Sequence, residues 1–402
     1  MQRIGRDSKA VIEFTLTWHE QGVDHQDSTW ADPVSLWRDV IDPGLVQELD
    51  GQGVGGQAAI DIPADRFSQP YDRRKRIAIR PEQFRNHDRF GNDIFLRQGR
   101  FYPQGLLEGV DGVFRVSTAP CRYLGADGDR LLFDLNHPLA GHDLRLQATV
   151  QAIHTTAKER GGRCEDWLER ASAGGPGMQA SIGTGVISTL AAEDLQRVDD
   201  RPDDTFYRQP RLVQHLDASA RREITRNYGR LIPAGAKVLD LMGSWDSHLP
   251  EHLVLGGLTV LGLNEEELRR NRRAGEIRVH DLNATPQLPF TDAAFDAVIC
   301  TASIEYLTRL HAVVAEIRRV LRPGGLVAIA FSNRWFPPKA IRIWTELHEF
   351  ERLGLVTDLL ATNGGFSGLS TLSRRGLPRP EDDPHQELMF SDPVFMVWGQ
   401  AT

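Results

Sequence analysis

Three polar residues close or follow short apolar runs in the second half of the 402-residue chain. Asp240 lies in VLDLM, Asn264 follows LTVLGL, and Asp281 lies in the stretch HDLN at 280–283. If the runs are parallel strands, their carboxyl ends share one edge of a sheet, where ligands bind in doubly wound folds. A carboxylate or an amide there can bind ribose hydroxyls, and backbone N–H groups can meet an acidic group of the ligand. The spacing therefore predicts a nucleoside site.

The elements that must position these residues alternate between strands and helices. Apolar runs at 238–242, 258–263, 295–300 and 326–331 are typical of strands buried on both faces. Residues 210–230 and 265–271 predict helices, and residues 308–321 carry apolar side chains at the spacing of an amphipathic helix. Pro323, Gly324 and Gly325 should end that last helix. This order predicts an α/β domain with a parallel sheet.

The second half resembles the class I S-adenosylmethionine (SAM)-dependent methyltransferases, in particular the methyltransferase type 11 group. The segments that carry the resemblance are VLDLMGSWDSHLP, VLGLNEEEL, VHDLNATPQLPFTDAAFDAVIC and EIRRVLRPGGLVAIAFSNRWFPPKAI. The combination of LPF-x(4)-FDAV with VLRPGG is specific, whereas either piece alone is weak. The resemblance implies a Rossmann-like α/β methyltransferase domain over residues 206–402, with SAM as its cofactor.

The resemblance also implies roles for individual residues. Asp240 matches the acidic residue that opens the SAM loop, and Asn264 holds the position of the carboxylate that binds the ribose. The adenine-binding corner matches Asp281 and Leu282, and Thr301 begins the segment that faces the methionine part. The predicted cofactor-binding residues are Asp240, Met242, Gly243, Ser244, Asn264, Asp281, Leu282 and Thr301.

The loop after the first strand departs from the usual D-x-G-x-G-x-G pattern. Its three glycine positions hold Met242, Ser244 and Asp246, and Gly243 is the glycine nearby. Glycines there permit a tight turn and a close backbone approach, while Met242 and Trp245 add bulk. Two interpretations stay open: a SAM-dependent methyltransferase, or a non-catalytic chaperone or polypeptide-binding protein with a degenerate methyltransferase fold. Methyl transfer needs mainly positioning, so no catalytic residue is assigned in this half.

The first half is predicted to be mainly β. Residues 11–18 and 57–62 are rich in strand-forming residues, and residues 144–152 alternate apolar and polar as in a half-buried antiparallel strand. The segment GRLLFDLNHPLAGHDLRLQATVQAI resembles the end of the SlyD-type FKBP peptidyl-prolyl isomerases. The match centres on the turn NHPLAG at 136–141. It implies an FKBP-like domain over residues 1–153, with an inserted flap at about 74–130 that grips unfolded chains.

An isomerase pocket is implied at Asp27, Ile41 and Tyr71. Several of the family's aromatic walls are replaced, since Thr15, Gln26, Leu45 and Leu146 stand in Tyr, Phe, Trp and Phe positions. A bowl with few aromatic side chains should bind prolyl peptides weakly. Prolyl isomerisation and simple peptide holding therefore both stay open for this half. The His-rich tail of some relatives is absent, so no metal site is expected.

Composition narrows the partners and the location. A net charge of −8 and a pI near 5.9 do not favour nucleic acid or an anionic membrane. The basic run at 73–76 is a local exception to this acidic character, and such a run is typical of a solvated loop. Cys121, Cys164 and Cys300 fit no zinc or redox motif, which favours the cytoplasm. No signal peptide or membrane helix is expected. The expected partners are a polypeptide, held by the first domain, or a small-molecule acceptor.

A segment at 154–205 separates the two predicted domains. It is rich in Gly, Ala and Ser in its first part and charged, with a proline, in its last part. This composition predicts a linker that contains a short helix around Cys164–Arg170.

Overall fold

The computed structural model describes residues 2–87, 91–154, 161–180, 190–362 and 365–402. The chain divides into two compact units. The first contains Met1–Gln21, Asp27–Thr189 and Leu347–Gly354, and the second contains Gly22–Gln26, Leu190–Glu346 and Leu355–Thr402.

The first unit is mainly β, as the sequence predicts. The strands that lie wholly or largely in it are β1 (Lys9–Glu20), β2 (Val23–Ser35), β3 (Gln57–Ile62), β4 (Arg76–Ile79), β5 (Phe101–Pro103), β6 (Pro120–Asp127), β7 (Arg130–Asp134) and β8 (Leu144–His154). Its short helices are α1 (Pro43–Leu49) and α2 (Trp167–Ser172). The main strands follow the order β2-β1-β8-β3, and β8 is antiparallel to both β1 and β3. The alternation along β8 is confirmed, because Leu144, Leu146, Ala148 and Val150 are buried.

The segment between β3 and β8 forms a separate four-stranded sheet. Its order is β4-β7-β6-β5, and each neighbouring pair is antiparallel. Aromatic side chains fill its own core, where Phe84 and Tyr123 pack around Phe133. The insertion predicted at 74–130 therefore folds around its own centre, and its last strand continues to Asp134.

The segment predicted as a linker at 154–205 contains a short helix and buried residues, and the division between the two units falls within it. The short helix begins at Trp167, because the side chain of Asp166 accepts hydrogen bonds from the N–H groups of Leu168 and Glu169. The Trp167 ring stacks on Phe14 at 5.5 Å between centroids. Residues 178–180 are buried in the first unit, while residues 190–205 belong to the second unit. Small residues in this segment allow close packing; a Cβ at Gly177, for example, would collide with Pro138.

The second unit contains the predicted α/β fold. Its strands are β9 (Lys237–Leu241), β10 (Gly257–Gly262), β11 (Glu276–Val279), β12 (Phe295–Thr301), β13 (Leu321–Phe331), β14 (Phe366–Arg375) and β15 (Val394–Ala401). The remaining helices of the chain are α3 (Asp203–Phe206), α4 (Ala218–Leu231), α5 (Glu265–Arg270), α6 (Leu310–Val320), α7 (Arg342–Glu346) and α8 (Glu349–Thr362).

These strands follow the order β11-β10-β9-β12-β13-β15-β14. Strands β9 to β13 are parallel, and β15 runs antiparallel to both β13 and β14. After β9 the chain builds outward through β10 and β11 and then returns to the other side of β9 as β12. The strand order therefore reverses between β9 and β12, which is the switch point where such sheets bind ligands.

The helix predicted at 210–230 begins only at Ala218. The Asp217 carboxylate accepts a hydrogen bond from the N–H of Ala220 at 2.9 Å and caps the helix. The same carboxylate accepts from the Ser391 hydroxyl at 2.7 Å and from the N–H of Asp392 at 2.6 Å. These buried bonds fix residue 217 outside the helix. Residues 211–217 are consequently irregular, and they contribute to the site described below.

The three cysteines are free thiols in different surroundings. Cys121 in the first unit and Cys300 in the second are buried, whereas Cys164 is exposed. Burial raises the pKa of Cys121 to about 12 and raises the pKa of Cys300 well above its usual value. Within the described part of the chain, no helix is long and apolar enough to cross a membrane.

Candidate functional site

A cavity opens at the carboxyl ends of β9, β10 and β12 in the second unit. All eight residues that the sequence predicts for the cofactor line it, namely Asp240, Met242, Gly243, Ser244, Asn264, Asp281, Leu282 and Thr301. Its empty volume, including the solvent at its mouth, is about 1210 Å³. That is enough space for a small-molecule ligand.

Asp240 lies at the base of the cavity, near the end of β9. It is 2 % exposed, and its Oδ2 has no hydrogen-bond partner among the residues described. Burial raises the pKa of this carboxyl to about 7, although a hydrogen bond with Ser247 opposes the shift. The Gly243 backbone packs closely against this carboxyl, since a Cβ at Gly243 would lie 2.5 Å from Asp240 Oδ2 and 2.7 Å from Val260 Cγ1. The site therefore has a buried carboxyl oxygen beside a position where a side chain would collide with it.

Three non-glycine residues of the lining have left-handed backbone conformations. Their φ angles are +57° at Met242, +52° at His248 and +46° at Ala302. Such residues cost on the order of 1–3 kcal/mol each and tend to cluster at functional sites. Met242 occupies a position where the usual loop has glycine, and its φ is one that glycine adopts freely. The chain thus keeps the backbone shape of that glycine position while changing its side chain.

Side-chain hydrogen bonds hold the rest of this loop, residues 242–248. The Ser244 hydroxyl donates to Glu267 Oε2 at 2.6 Å. Asn271 Nδ2 donates to the Ser244 carbonyl at 2.9 Å and to the Ser247 hydroxyl at 2.8 Å. Asp246 accepts from Gln214 Nε2 at 2.8 Å. Ser244 and Asp246, which replace two of the usual glycines, therefore fix the loop through their side chains.

Asn264, at the end of β10, is engaged by the protein itself. Its Oδ1 caps α5 by accepting from the Glu267 N–H at 3.1 Å. Its Nδ2 donates to the carbonyls of Tyr207 at 2.9 Å and Arg208 at 3.1 Å. Both amide hydrogens are thus used, and the residue at the position expected to bind ribose also has a structural role.

The adenine corner expected at 281–282 combines an acceptor with an apolar wall. Asp281 Oδ1 accepts from the N–H groups of Asn283 at 2.9 Å and Ala284 at 3.1 Å. These bonds fix the carboxylate through Oδ1, and the residue lines the cavity. Leu282 is 3 % exposed. Across the cavity, the Thr301 hydroxyl lies 2.7 Å from the Tyr228 hydroxyl, which orients it.

A wall of the cavity comes from residues 199–217, here called the strap, which the sequence prediction of a cofactor site did not include. Arg211 is central to it. Its guanidinium lies 4.5 Å from the ring centroid of Phe206, 5.4 Å from Tyr207 and 5.2 Å from Phe336. Arg211 Nη2 donates to the Phe206 carbonyl at 3.0 Å. Its Nη1 is buried and has no hydrogen-bond partner among the described residues.

Lys339 anchors the strap, and its side chain is completely buried. Its ammonium donates to the carbonyls of Asp199 at 3.1 Å and Arg201 at 2.7 Å, and it lies 3.0 Å from Asp203 Oδ1. Arg197 also donates to both carboxylate oxygens of Asp203, at 2.8 and 2.9 Å. Burial raises the pKa of Asp203, but the hydrogen bonds from Arg197, Asn283 and Lys339 outweigh it and hold the pKa below its usual value. The cluster therefore contains ionised partners.

Sequence signals existed for only part of this wall. Phe336 follows the end of β13 by five residues, so its position after a parallel strand is the same kind of signal that predicts Asp240 and Asn264. The strap precedes α4 and follows no parallel strand, so this signal is missing for it. The run FYRQPR at 206–211, which combines aromatic and basic residues, was the available signal.

The three residues predicted for an isomerase pocket lie in the first unit. Asp27 is buried in β2 at 1 % exposure, and Ile41 packs partly against the core. Tyr71 is 41 % exposed, with the Arg76 guanidinium 5.8 Å from its ring centroid. Their isomerase role stays a prediction.

Part of the second unit is similar to known proteins. Residues 247–329 match the family model described as a methyltransferase domain. This segment holds β10 to β12 with Asn264, Asp281 and Thr301, and it begins just after Asp240 to Asp246.

Among curated proteins, the chain is similar to the ubiquinone/menaquinone biosynthesis C-methyltransferase UbiE of Cupriavidus metallidurans. The two are 32 % identical over 112 residues, which cover 26 % of this chain and 46 % of that protein. It is also similar to methyltransferase GfsG of Streptomyces halstedii, with 33 % identity over 137 residues, 31 % of this chain and 48 % of that protein. The chain thus spans about half the length of these curated relatives.

Among solved structures, the chain is similar to a SAM-dependent methyltransferase from Thermotoga maritima that is described as a possible histamine N-methyltransferase. The identity is 13 %, the TM-score is 0.34, and the alignment covers 46 % of this chain and 90 % of that one.

Proposed function

We propose that the second unit is a SAM-dependent methyltransferase. The observation that carries the proposal is the cavity at the switch point, where all eight residues implied by the methyltransferase resemblance line one space. The methyltransferase match over residues 247–329 supports it independently of the cavity.

The residues present suit SAM in charge and in hydrogen bonding. SAM carries a sulfonium, an ammonium and a carboxylate, and its adenosine part offers an amine and hydroxyl donors. The lining has carboxylates at Asp203, Asp240, Asp246, Glu267 and Asp281, and a guanidinium at Arg211. The Asp240 Oδ2 acceptor is buried without a partner among the described residues, which a donor-rich ligand would correct. The lining therefore fits a cationic nucleoside.

When bound, SAM supplies an electrophilic methyl group on its sulfonium. Asp281 would hold the adenine amine while Leu282 packs against the ring. The loop at 242–248 and Thr301 would hold the methionine part. The rings of Tyr207, Tyr306 and Phe336 also line the cavity, where they would exclude water and contact the acceptor. Orienting a nucleophile in line with the methyl group is the main task, so positioning by these walls is the contribution expected of the protein.

We propose that the first unit is an FKBP-like module that presents the acceptor. A polypeptide held there, with Asp27, Ile41 and Tyr71 as the prolyl site, would be tethered to the transferase and so reach a high effective concentration. A small-molecule acceptor needs only the second unit. The separate sheet at Arg76–Asp134 supports the insertion that the SlyD resemblance implies. The free, widely spaced cysteines favour the cytoplasm as the location.

Isothermal titration of the full chain with SAM and with S-adenosylhomocysteine tests the transferase proposal. We expect binding of both ligands, a rise in Tm on saturation, and a loss of at least tenfold in affinity in Asp281→Ala. Asp292→Ala serves as the matched control, because that side chain is 80 % exposed and lies outside the cavity lining. If wild-type protein gives no heat and no Tm shift at millimolar SAM, the alternative of a non-catalytic protein with a degenerate fold takes its place.

A second assay tests the isomerase role of the full chain. We expect faster proline-limited refolding of an unfolded substrate protein than the uncatalysed rate, whose time scale is roughly 10–100 s at 25 °C. Unchanged refolding, with retained binding of the unfolded chain, would reduce the first unit to a peptide-holding module.

A further inference from the structure

Asn264 stands where the resemblance expects a ribose-binding carboxylate, but its hydrogen bonds are largely used. Both Nδ2 hydrogens go to the strap carbonyls of Tyr207 and Arg208, and Oδ1 caps α5. What remains is one lone pair on a neutral oxygen. A neutral acceptor makes weaker hydrogen bonds than a carboxylate does.

Glu267 lies one helical turn further along the chain and lines the same cavity. Its Oε1 accepts from the Arg211 N–H at 2.6 Å, and its Oε2 accepts from the Ser244 hydroxyl at 2.6 Å. These bonds hold the carboxylate between the strap and the loop at 242–248. A carboxylate has about four acceptor positions, so a second bond to each oxygen is still available.

We propose that Glu267, in place of Asn264, supplies the carboxylate that accepts hydrogen bonds from the ribose hydroxyls of the bound nucleoside. The inference rests on the proposed function. Three observations carry it: Asn264 is committed to the protein, Glu267 is ionisable and lines the cavity, and two of its contacts preset its position. The chain has kept the charge at this end of the sheet and moved it by three residues.

A purely structural role for Glu267 is the competing explanation, since it also links Ser244 to Arg211. The two roles differ in their dependence on the ligand. A brace affects every nucleoside equally, whereas a ribose contact affects only ligands that carry the hydroxyls. The probe pair is therefore S-adenosylhomocysteine and its 2′,3′-dideoxy analogue, titrated calorimetrically into the full chain.

We expect Glu267→Gln to weaken S-adenosylhomocysteine binding by about tenfold, the effect of losing one charge-assisted hydrogen bond. The dideoxy analogue should bind the wild type and Glu267→Gln equally. Glu266→Gln is the matched control, because this neighbouring carboxylate pairs with Arg270 at 2.8 Å on the exposed face of α5. It should leave both affinities unchanged. Asn264→Ala should lower the Tm, because it removes the helix cap, and change both affinities by the same factor.

Several results would overturn the assignment. One is an equal loss of both ligands in Glu267→Gln, which would make Glu267 a brace. Another is a hydroxyl-selective loss in Asn264→Ala. If Glu267→Gln fails to fold, Glu267→Asp and the wild-type ratio of the two affinities replace it, and a ratio near one in wild type contradicts the proposal. Failure of wild type to bind either ligand is distinct, because it rejects the transferase proposal itself.

Discussion

Two walls of the cavity are held in different ways. The loop at 242–248 is fixed by close packing of Gly243 against Asp240 and by hydrogen bonds to side chains 23 to 32 residues away, such as that of Ser244 to Glu267. The strap at 199–217 is fixed by charges that come from distant sequence positions, chiefly Lys339 and Asp203. The loop stores backbone strain at Met242 and His248, whereas the strap has aromatic rings around a cation. The loop is thus held mainly by packing, whereas the attachment of the strap depends mainly on charge-assisted contacts.

The largest effect should follow removal of the strap's anchor. In Lys339→Met the carboxylates of Asp199 and Asp203 lose a buried cation, which costs about 3–5 kcal/mol in known cases. We expect a Tm lower by roughly 10 °C, at about 2–4 °C per kcal/mol for a unit of this size. Thermal unfolding followed by circular dichroism measures it, and limited proteolysis should cut within 199–217.

Lys237→Met is the control, because Lys237 is exposed and should change stability by less than about 0.5 kcal/mol. A Lys339→Met protein with the wild-type Tm would show that the strap does not depend on this charge cluster.

The stability of the region around the loop at 242–248 should depend on pH, because the buried Asp240 carboxyl packs against Gly243. The folded pKa of Asp240 is raised from 3.8 to about 7 by burial, so the folded state binds the proton more tightly than the unfolded state. Its stabilising contribution is full below about pH 4 and is lost as the pH rises to about 7. Asp240→Asn cannot titrate, so we expect its unfolding free energy relative to wild type to increase across this window, by on the order of a few kcal/mol.

Urea denaturation at several pH values measures that difference, with Asp292→Asn as the exposed control. A constant difference between wild type and Asp240→Asn from pH 4 to 8 contradicts a buried carboxyl with a raised pKa.

A smaller effect is expected from filling the space at Gly243. The Cβ in Gly243→Ala would lie 2.5 Å from Asp240 Oδ2 and 2.7 Å from Val260, so these side chains must shift. Overpacking of this kind costs about 1–3 kcal/mol. Gly257→Ala, where a Cβ meets nothing within 4 Å, is the matched control in the same sheet. Equal stabilities of the two variants in chemical denaturation would mean that Asp240 and Val260 shift at little cost in free energy.

The smallest effect is expected at Arg211. Arg211→Met loses the cation–π contacts, worth about 0.5–2 kcal/mol, and the Nη2 hydrogen bond to the Phe206 carbonyl, worth about 0.5–1.5 kcal/mol. It also removes a buried N–H group without a partner among the described residues, which costs about 1–3 kcal/mol. These contributions nearly cancel, so we expect the unfolding free energy to change by less than about 1 kcal/mol. A loss above about 2 kcal/mol in urea denaturation would make the aromatic cage, in addition to Lys339, an anchor of the strap.

The contrast between the two walls also explains what the sequence could predict. The positions of Asp240 and Asn264 follow from local rules, because an apolar run predicts a strand and ligand-binding residues lie at the strand's end. The strap depends on hydrogen bonds between residues that are more than 100 positions apart, such as Asp217 with Ser391 and Asp199 with Lys339. No local pattern contains that information. For the same reason the helix predicted from 210 was wrong over its first eight residues.

The first unit shows the same limit. The alternation in β8 correctly predicted a half-buried strand, because burial on one face is a local property. The composition of 154–205 predicted a linker, yet Trp167 packs on Phe14 and residues 178–180 are buried. Small residues are frequent both in flexible linkers and where chains pack closely, so composition alone does not separate the two.

Each unit contains a buried cysteine whose reactivity can report the unfolding of that unit. Cys121 and Cys300 are enclosed in different units, while Cys164 is open to solvent. Thiol reagents attack the thiolate, which burial disfavours, so an alkylating pulse on the folded chain should modify Cys164 alone. Under increasing denaturant, mass spectrometry of the modified peptides would then time the opening of each unit separately within a single unlabelled, wild-type molecule.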